Sequence, residues 1–97
     1  MASFTTRVEL HGATWDDYTR LHEKMRAAGF STTIKSDDGK LYKLPPAEYR
    51  YEGNVNVVFV RDRARAVASS VKAGNAVFVT EGSVCAWIGL ELANAYA

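Results

Sequence analysis

The sequence predicts an α+β domain, on three observations. Two segments place apolar residues three and four apart, as an amphipathic helix does. Four others are rich in β-branched and aromatic residues, several in clear alternation. Between them lie glycine, proline and Asp-Gly signals that stop or turn a chain. The elements follow in order. Phe4–Leu10 puts Phe4, Thr6, Val8 and Leu10 on one face and reads as the first strand. His11-Gly12-Ala13 turns the chain. Thr14 is a helix N-cap with Asp17 in capping-box position, and Asp16 and Asp17 put negative charge at the positive helix end. Trp15, Tyr18, Leu21, Met25 and Ala28 form one stripe, and Gly29 is a natural stop, so the first helix covers 15–28.

Phe30–Lys35 reads as a second strand, and Asp37-Asp38-Gly39 turns it into a short return at Lys40–Leu44. Pro45-Pro46 marks an edge or kink before a third main strand at Ala47–Glu52, with Tyr49 and Tyr51 on one face. The stretch Asn54–Val60 has strand composition but also opens a helical stripe of Val57, Val60, Ala64, Val67, Ala68 and Val71 capped by Asn56. The helical reading, 57–72, is preferred, and it leaves Val58 and Phe59 off the stripe. Gly74 ends that helix, and Asn75–Glu81 is the fourth main strand. Trp87, Leu90 and Ala93 or Asn94 have helical spacing, which suggests a short C-terminal helix. The order is that of a ferredoxin-like β-α-β-β-α-β sandwich: a four-stranded antiparallel sheet with both helices on one face, plus a small hairpin. The chain reads as a single domain over 1–97.

Composition bounds the function. The 97 residues carry 12 basic and 11 acidic side chains, a formal net charge of +1, with 47% hydrophobic and 24% charged residues. That is a globular composition, and it lacks the basic excess of a dedicated duplex-DNA binder. A single cysteine, Cys85, rules out an intrachain disulfide and fits a reducing compartment. The start MASFTTRVEL has no apolar signal-peptide core, and no apolar run approaches the roughly 18 residues of a membrane span. A cytoplasmic location is expected, with no membrane or DNA partner.

Few residue patterns carry chemistry. One cysteine and two histidines without paired spacing do not make a structural zinc site, and no phosphate-binding glycine loop or nucleophile elbow is present. No cofactor or metal is expected. Cys85, in SVCAW, reads as a buried inert thiol. His11 closes the first strand, and His22 sits at the edge of the first helix's apolar stripe, its ring against the sheet. Within one subunit the two rings should not meet. Arg61, Arg65 and Lys72 fall within about 40° on the second helix, Arg20 and Arg26 flank the first, and Arg50 lies between Tyr49 and Tyr51. Each also has a plain reading, as a solvated helix face or a core tyrosine.

YTRLHEKMRAAGFSTTI, DDGKLYKLPPAEY, VRDRARAVA and VFVTEGSVCAWIGLELA together resemble the GhoS-like family of small bacterial proteins, over nearly the whole chain. The resemblance implies a Cas2-like ferredoxin fold and the activity of a type V toxin–antitoxin antitoxin, an endoribonuclease that cuts messenger RNA. Cas2-type proteins carry an Asp at the end of strand one; here Glu9, Leu10 and His11 stand there. Alignment on Gly29 and Phe30 places His22 where the family has a helix-one Arg, with Arg20 nearby. The resemblance therefore implies His22 and Arg20 as catalytic candidates in a metal-independent cleavage through the RNA 2′-hydroxyl. Arg26, Arg61, Arg65 and Lys72 are the RNA-binding candidates. A non-catalytic protein-interaction module is the competing reading. Val58 and Phe59, left over from the helix stripe, point to a homodimer.

Overall fold

The computed structural model describes residues 1–93, and its element order is β1 (Ala2–Leu10), α1 (Trp15–Ala27), β2 (Thr33–Lys35), β3 (Leu41–Lys43), β4 (Glu48–Gly53), α2 (Val57–Val71) and β5 (Asn75–Glu81). The protein is a small α+β domain with two antiparallel sheets. One is three-stranded, in the order β4-β1-β5, and the other is the β2–β3 hairpin.

β1 is central because its alternation is complete. Phe4, Thr6, Val8 and Leu10 are all buried on the face the helices cover. α1 adds Leu21 and Met25, α2 adds Val60, Ala64 and Ala68, and Tyr49 enters from β4. The three small α2 residues and Thr6 keep this core thin. Thr6 Oγ1 is buried without a hydrogen-bond partner among the described residues.

Local chemistry fixes the helix ends. Thr14 Oγ1 accepts from the Asp17 backbone while Asp17 accepts from the Thr14 backbone, a complete capping box. At the other end Gly29 adopts φ 97°, its N–H bonds to Arg26 O, and the Phe30 N–H reaches Met25 O. This is the paired bonding of a glycine-stopped helix, and Arg63 donates to Ala28 O at 2.7 Å to finish it. α2 is capped by Asn56 Oδ1 on the Phe59 N–H at 2.9 Å. The helical reading of residues 57–72 thus matches the structure to within one residue.

Several expectations are corrected. The four-stranded sheet is not formed: Phe30–Ser31 does not extend β2, and Ser31 meets Arg50 only through an isolated bridge. Ser31 Oγ instead bonds to Thr33, which curls the backbone out of strand geometry. The C-terminal helix is absent among the described residues. Gly82 and Gly89 take φ 157° and 80°, Trp87 packs on Tyr42 at 5.7 Å, and Leu92 forms a bridge to Tyr42 alongside β3. Cross-strand pairing satisfies the backbone there, and the helical spacing of Trp87 and Leu90 is incidental; Asn94 lies outside the described residues. Cys85 is exposed, not buried. Trp15 is 83% exposed, although its spacing joins the α1 stripe. No described helix is long and apolar enough to cross a membrane.

Candidate functional site at the flank of α1

β4 ends its pairing with β1 at Arg7↔Glu48, while β1 runs on to Leu10. The last strand residues therefore need other partners on that edge. The Val8 N–H bonds to Ala47 O at 3.0 Å, with Ala47 held at φ 67°. A non-glycine residue in that region costs roughly 1 kcal/mol. Both backbone groups of Leu10 turn to the Tyr18 hydroxyl, at 3.1 Å from its N–H and 3.4 Å from its carbonyl. The gap where β4 runs out is a groove of about 550 Å³, walled by Trp15, Tyr18 and His22 of α1 on one side and by Arg7, Glu9, Pro46 and Ala47 on the other.

His22 is the polar centre of this groove. Its Nδ1 lies 2.6 Å from the hydroxyl of Tyr49, whose ring is wholly buried and set edge-on to Phe30. Burial pushes the Tyr49 phenol well above its ordinary value, so it stays protonated. A buried phenol that donates must have an acceptor, and His22 Nδ1 is the one it meets. The bond therefore assigns the proton of a neutral His22 to Nε2, and the ring offers the groove an N–H donor.

Burial, then the neighbouring Arg26 guanidinium, hold His22 below the usual imidazole range. The folded state thus takes up its proton later than the unfolded chain as pH falls. Between the lowered pKa and about 6.5 the unfolded state binds more protons, so stability is full above that window and declines as pH drops through it. We expect the urea midpoint to fall between pH 7.5 and pH 5, and His22→Gln to flatten that fall. Equal pH slopes for the two chains would show that His22 is not the group responsible.

The other candidate residues scatter. Arg20 is two residues from His22, about 160° round the helix. It pairs with Asp17 at 2.7 Å on the flank nearer α2, where Lys24 reaches Ser70 at 3.2 Å. The structure does not bring Arg20 and His22 together. His11 lies apart from His22, beside Glu9 at 3.2 Å. Arg26 is one turn beyond His22 on the same flank. Arg61 turns to its neighbour Asp62 at 2.9 Å, and Arg65 donates to Asn75 O at 3.1 Å across the α2–β5 turn. Lys72 is the C-cap in extended conformation, so it has left the helix and its basic stripe. Arg50 alternates with Tyr49 and Tyr51 and points to the opposite side of the sheet, bonding Thr5 Oγ1 at 2.6 Å, so it makes no pairing with the tyrosines. Among the described residues no three His, Cys, Asp or Glu side chains gather as a metal site.

Sequence reasoning missed Trp15, Tyr49 and Arg7 as site residues. The one sequence signal for Trp15 is its place as the first residue of α1, at the end of the apolar stripe. Comparison with protein-family models, with curated proteins and with solved structures finds no match to this chain.

Proposed function

We propose that this protein binds single-stranded RNA in the groove at the flank of α1. The observation that carries this reading is the row Trp15, His22 and Arg26, set at seven and four residues on one helix flank and therefore nearly in line. It combines an exposed indole, a fixed imidazole N–H donor and a cation. Unpaired bases stack on such aromatic faces, and phosphates take the cations. Arg7, across the groove, adds a second cation whose carboxylate partner Glu48 is 3.3 Å away. The resemblance to GhoS-like antitoxins supports the same ligand class and suggests messenger RNA as the target. It also supports reading the fold as a ferredoxin-like sandwich, in which the segment before β2 touches β4 through the isolated Ser31–Arg50 bridge.

The proposed role of His22 is set by its tautomer. With Nδ1 bonded to a protonated phenol, the ring is a donor to phosphate or base and not a ready base. The reading is therefore binding first. Any cleavage of RNA is expected to survive excess EDTA and to be weakened by His22→Ala. The test is binding of short single-stranded and duplex RNA at two salt concentrations. Two or three phosphate contacts predict roughly a 7- to 20-fold weakening when salt is raised fourfold, with single strands preferred. Affinity indifferent to salt, or equal for duplex, would refute the groove as an RNA site.

A specific observation also favours self-association. Val57, Val58 and Phe59, at the start of α2, are 37%, 48% and 43% exposed in a row. Phe59 and Val67 with Ala28 line a shallow recess there. An apolar cluster of this kind fits a second copy of the chain. Light scattering at high micromolar concentration is expected to give a dimer mass, reduced to monomer by Phe59→Glu; a monomer mass for the parent chain rules the dimer out.

A further inference from the structure

A second recess, of about 620 Å³, lies where the β2–β3 hairpin, β4 and the segment after β5 meet. We propose that it binds a small oxyanion, a carboxylate or a phosphate monoester, on the guanidinium of Arg50. The inference is independent of the RNA reading.

It rests on a guanidinium with an open edge. Arg50 is half-buried, and both its backbone groups are held by Ser31, at 2.7 and 2.8 Å. Its side-chain bonds all leave from Nη1: to Thr5 Oγ1 at 2.6 Å, Gly82 O at 3.4 Å and Cys85 Sγ at 3.6 Å. None of these partners is a carboxylate. Arg7, Arg20 and Arg61 each hold a carboxylate, and Arg63 and Arg65, which donate to backbone carbonyls, are exposed where Arg50 is half-buried. A half-buried guanidinium without an anion is costly. All of these side-chain bonds use Nη1, and the Nε–Nη2 edge has no hydrogen-bond partner among the described residues. That edge is the planar fork that takes two oxygens of a carboxylate or phosphate side by side.

The lining sets the size of the ligand. Ser31 and Thr33 supply hydroxyls, and Trp87 supplies a wall already packed on Tyr42. Lys35 adds a second cation to the lining, and Glu52 and Asp37, which also line the recess, repel a polyanion. A compact ligand with one anionic group fits, and an RNA strand does not.

The experiment titrates the full chain with sodium acetate and with inorganic phosphate at low ionic strength. Binding is read by calorimetry and by indole fluorescence in a Trp15→Phe background, which isolates Trp87. We expect saturable binding of at least one of the two, and which one it is identifies the oxyanion. Arg50→Gln should weaken it about tenfold or more, the loss of a charge-assisted pair. Since Arg50 also holds the segment after β5, a second variant leaves those bonds intact: Glu52→Gln should tighten binding by removing a repelling charge. Absence of saturable binding for both anions, an Arg50→Gln chain as tight as the parent, or a Glu52→Gln chain no tighter would overturn the proposal. RNA affinity should be unchanged in Glu52→Gln.

Discussion

Tyr49→Ala should destabilise the protein by about 3–5 kcal/mol, the usual cost of removing a buried aromatic ring. Domains of this size hold only about 5–15 kcal/mol in all, so the variant should be substantially unfolded near physiological temperature. The ring is fully buried and packs on Phe30 and His22 beneath α1. The fully buried residues of α2 are Val60, Ala64 and Ala68, all smaller than the ring that would be lost. Tyr49→Phe separates ring from hydroxyl. It keeps the packing and removes the donor to His22 Nδ1, which should cost about 1 kcal/mol. It also frees His22 to take either tautomer, so RNA affinity should drop while the fold survives. Urea denaturation orders the three chains. A Tyr49→Ala midpoint within the range of a surface substitution would contradict the core position assigned to this ring.

Trp15→Ala should have the opposite signature. The side chain is 83% exposed, so stability should change by no more than about 0.5 kcal/mol. If an unpaired base stacks on the indole, single-stranded RNA should bind more weakly by about 1–3 kcal/mol, roughly 5- to 150-fold. Trp15→Phe should recover part of that loss, because a smaller aromatic face still stacks. Fluorescence anisotropy with a labelled short RNA reads the affinity, and the same protein samples give the stability. Unchanged affinity in Trp15→Ala would remove the groove from consideration as an RNA site. The two variants form a useful pair: one alters the fold through a side chain the ligand never touches, and the other alters only a surface.

Much of the architecture was legible in the residues because local rules and burial agree there. The alternation of Phe4, Thr6, Val8 and Leu10 specifies a strand with one buried face, and Thr14 with Asp17 specifies where α1 begins. Gly29 specifies where it ends, and Asn56 resolves the ambiguous NVNVVFV stretch by capping the Phe59 N–H. Each of these depends on neighbours within a few positions, and the chain carries them wherever it folds. What only the tertiary structure decided depends on partners far along the chain. The spacing of Trp15 is that of a core residue, but it stands on the wall of the groove left where β4 stops pairing at Glu48, and its indole faces solvent. Trp87 and Leu90 have helical spacing, but Tyr42 and the edge of β3 offer pairing that the tail takes up instead. Arg65 looks free on a helix face and is drawn to the Asn75 carbonyl, while Arg50 looks engaged and keeps an open edge. Periodicity tells which side chains share a face; it cannot tell whether another element covers that face, and coverage decides which side chains are left to bind.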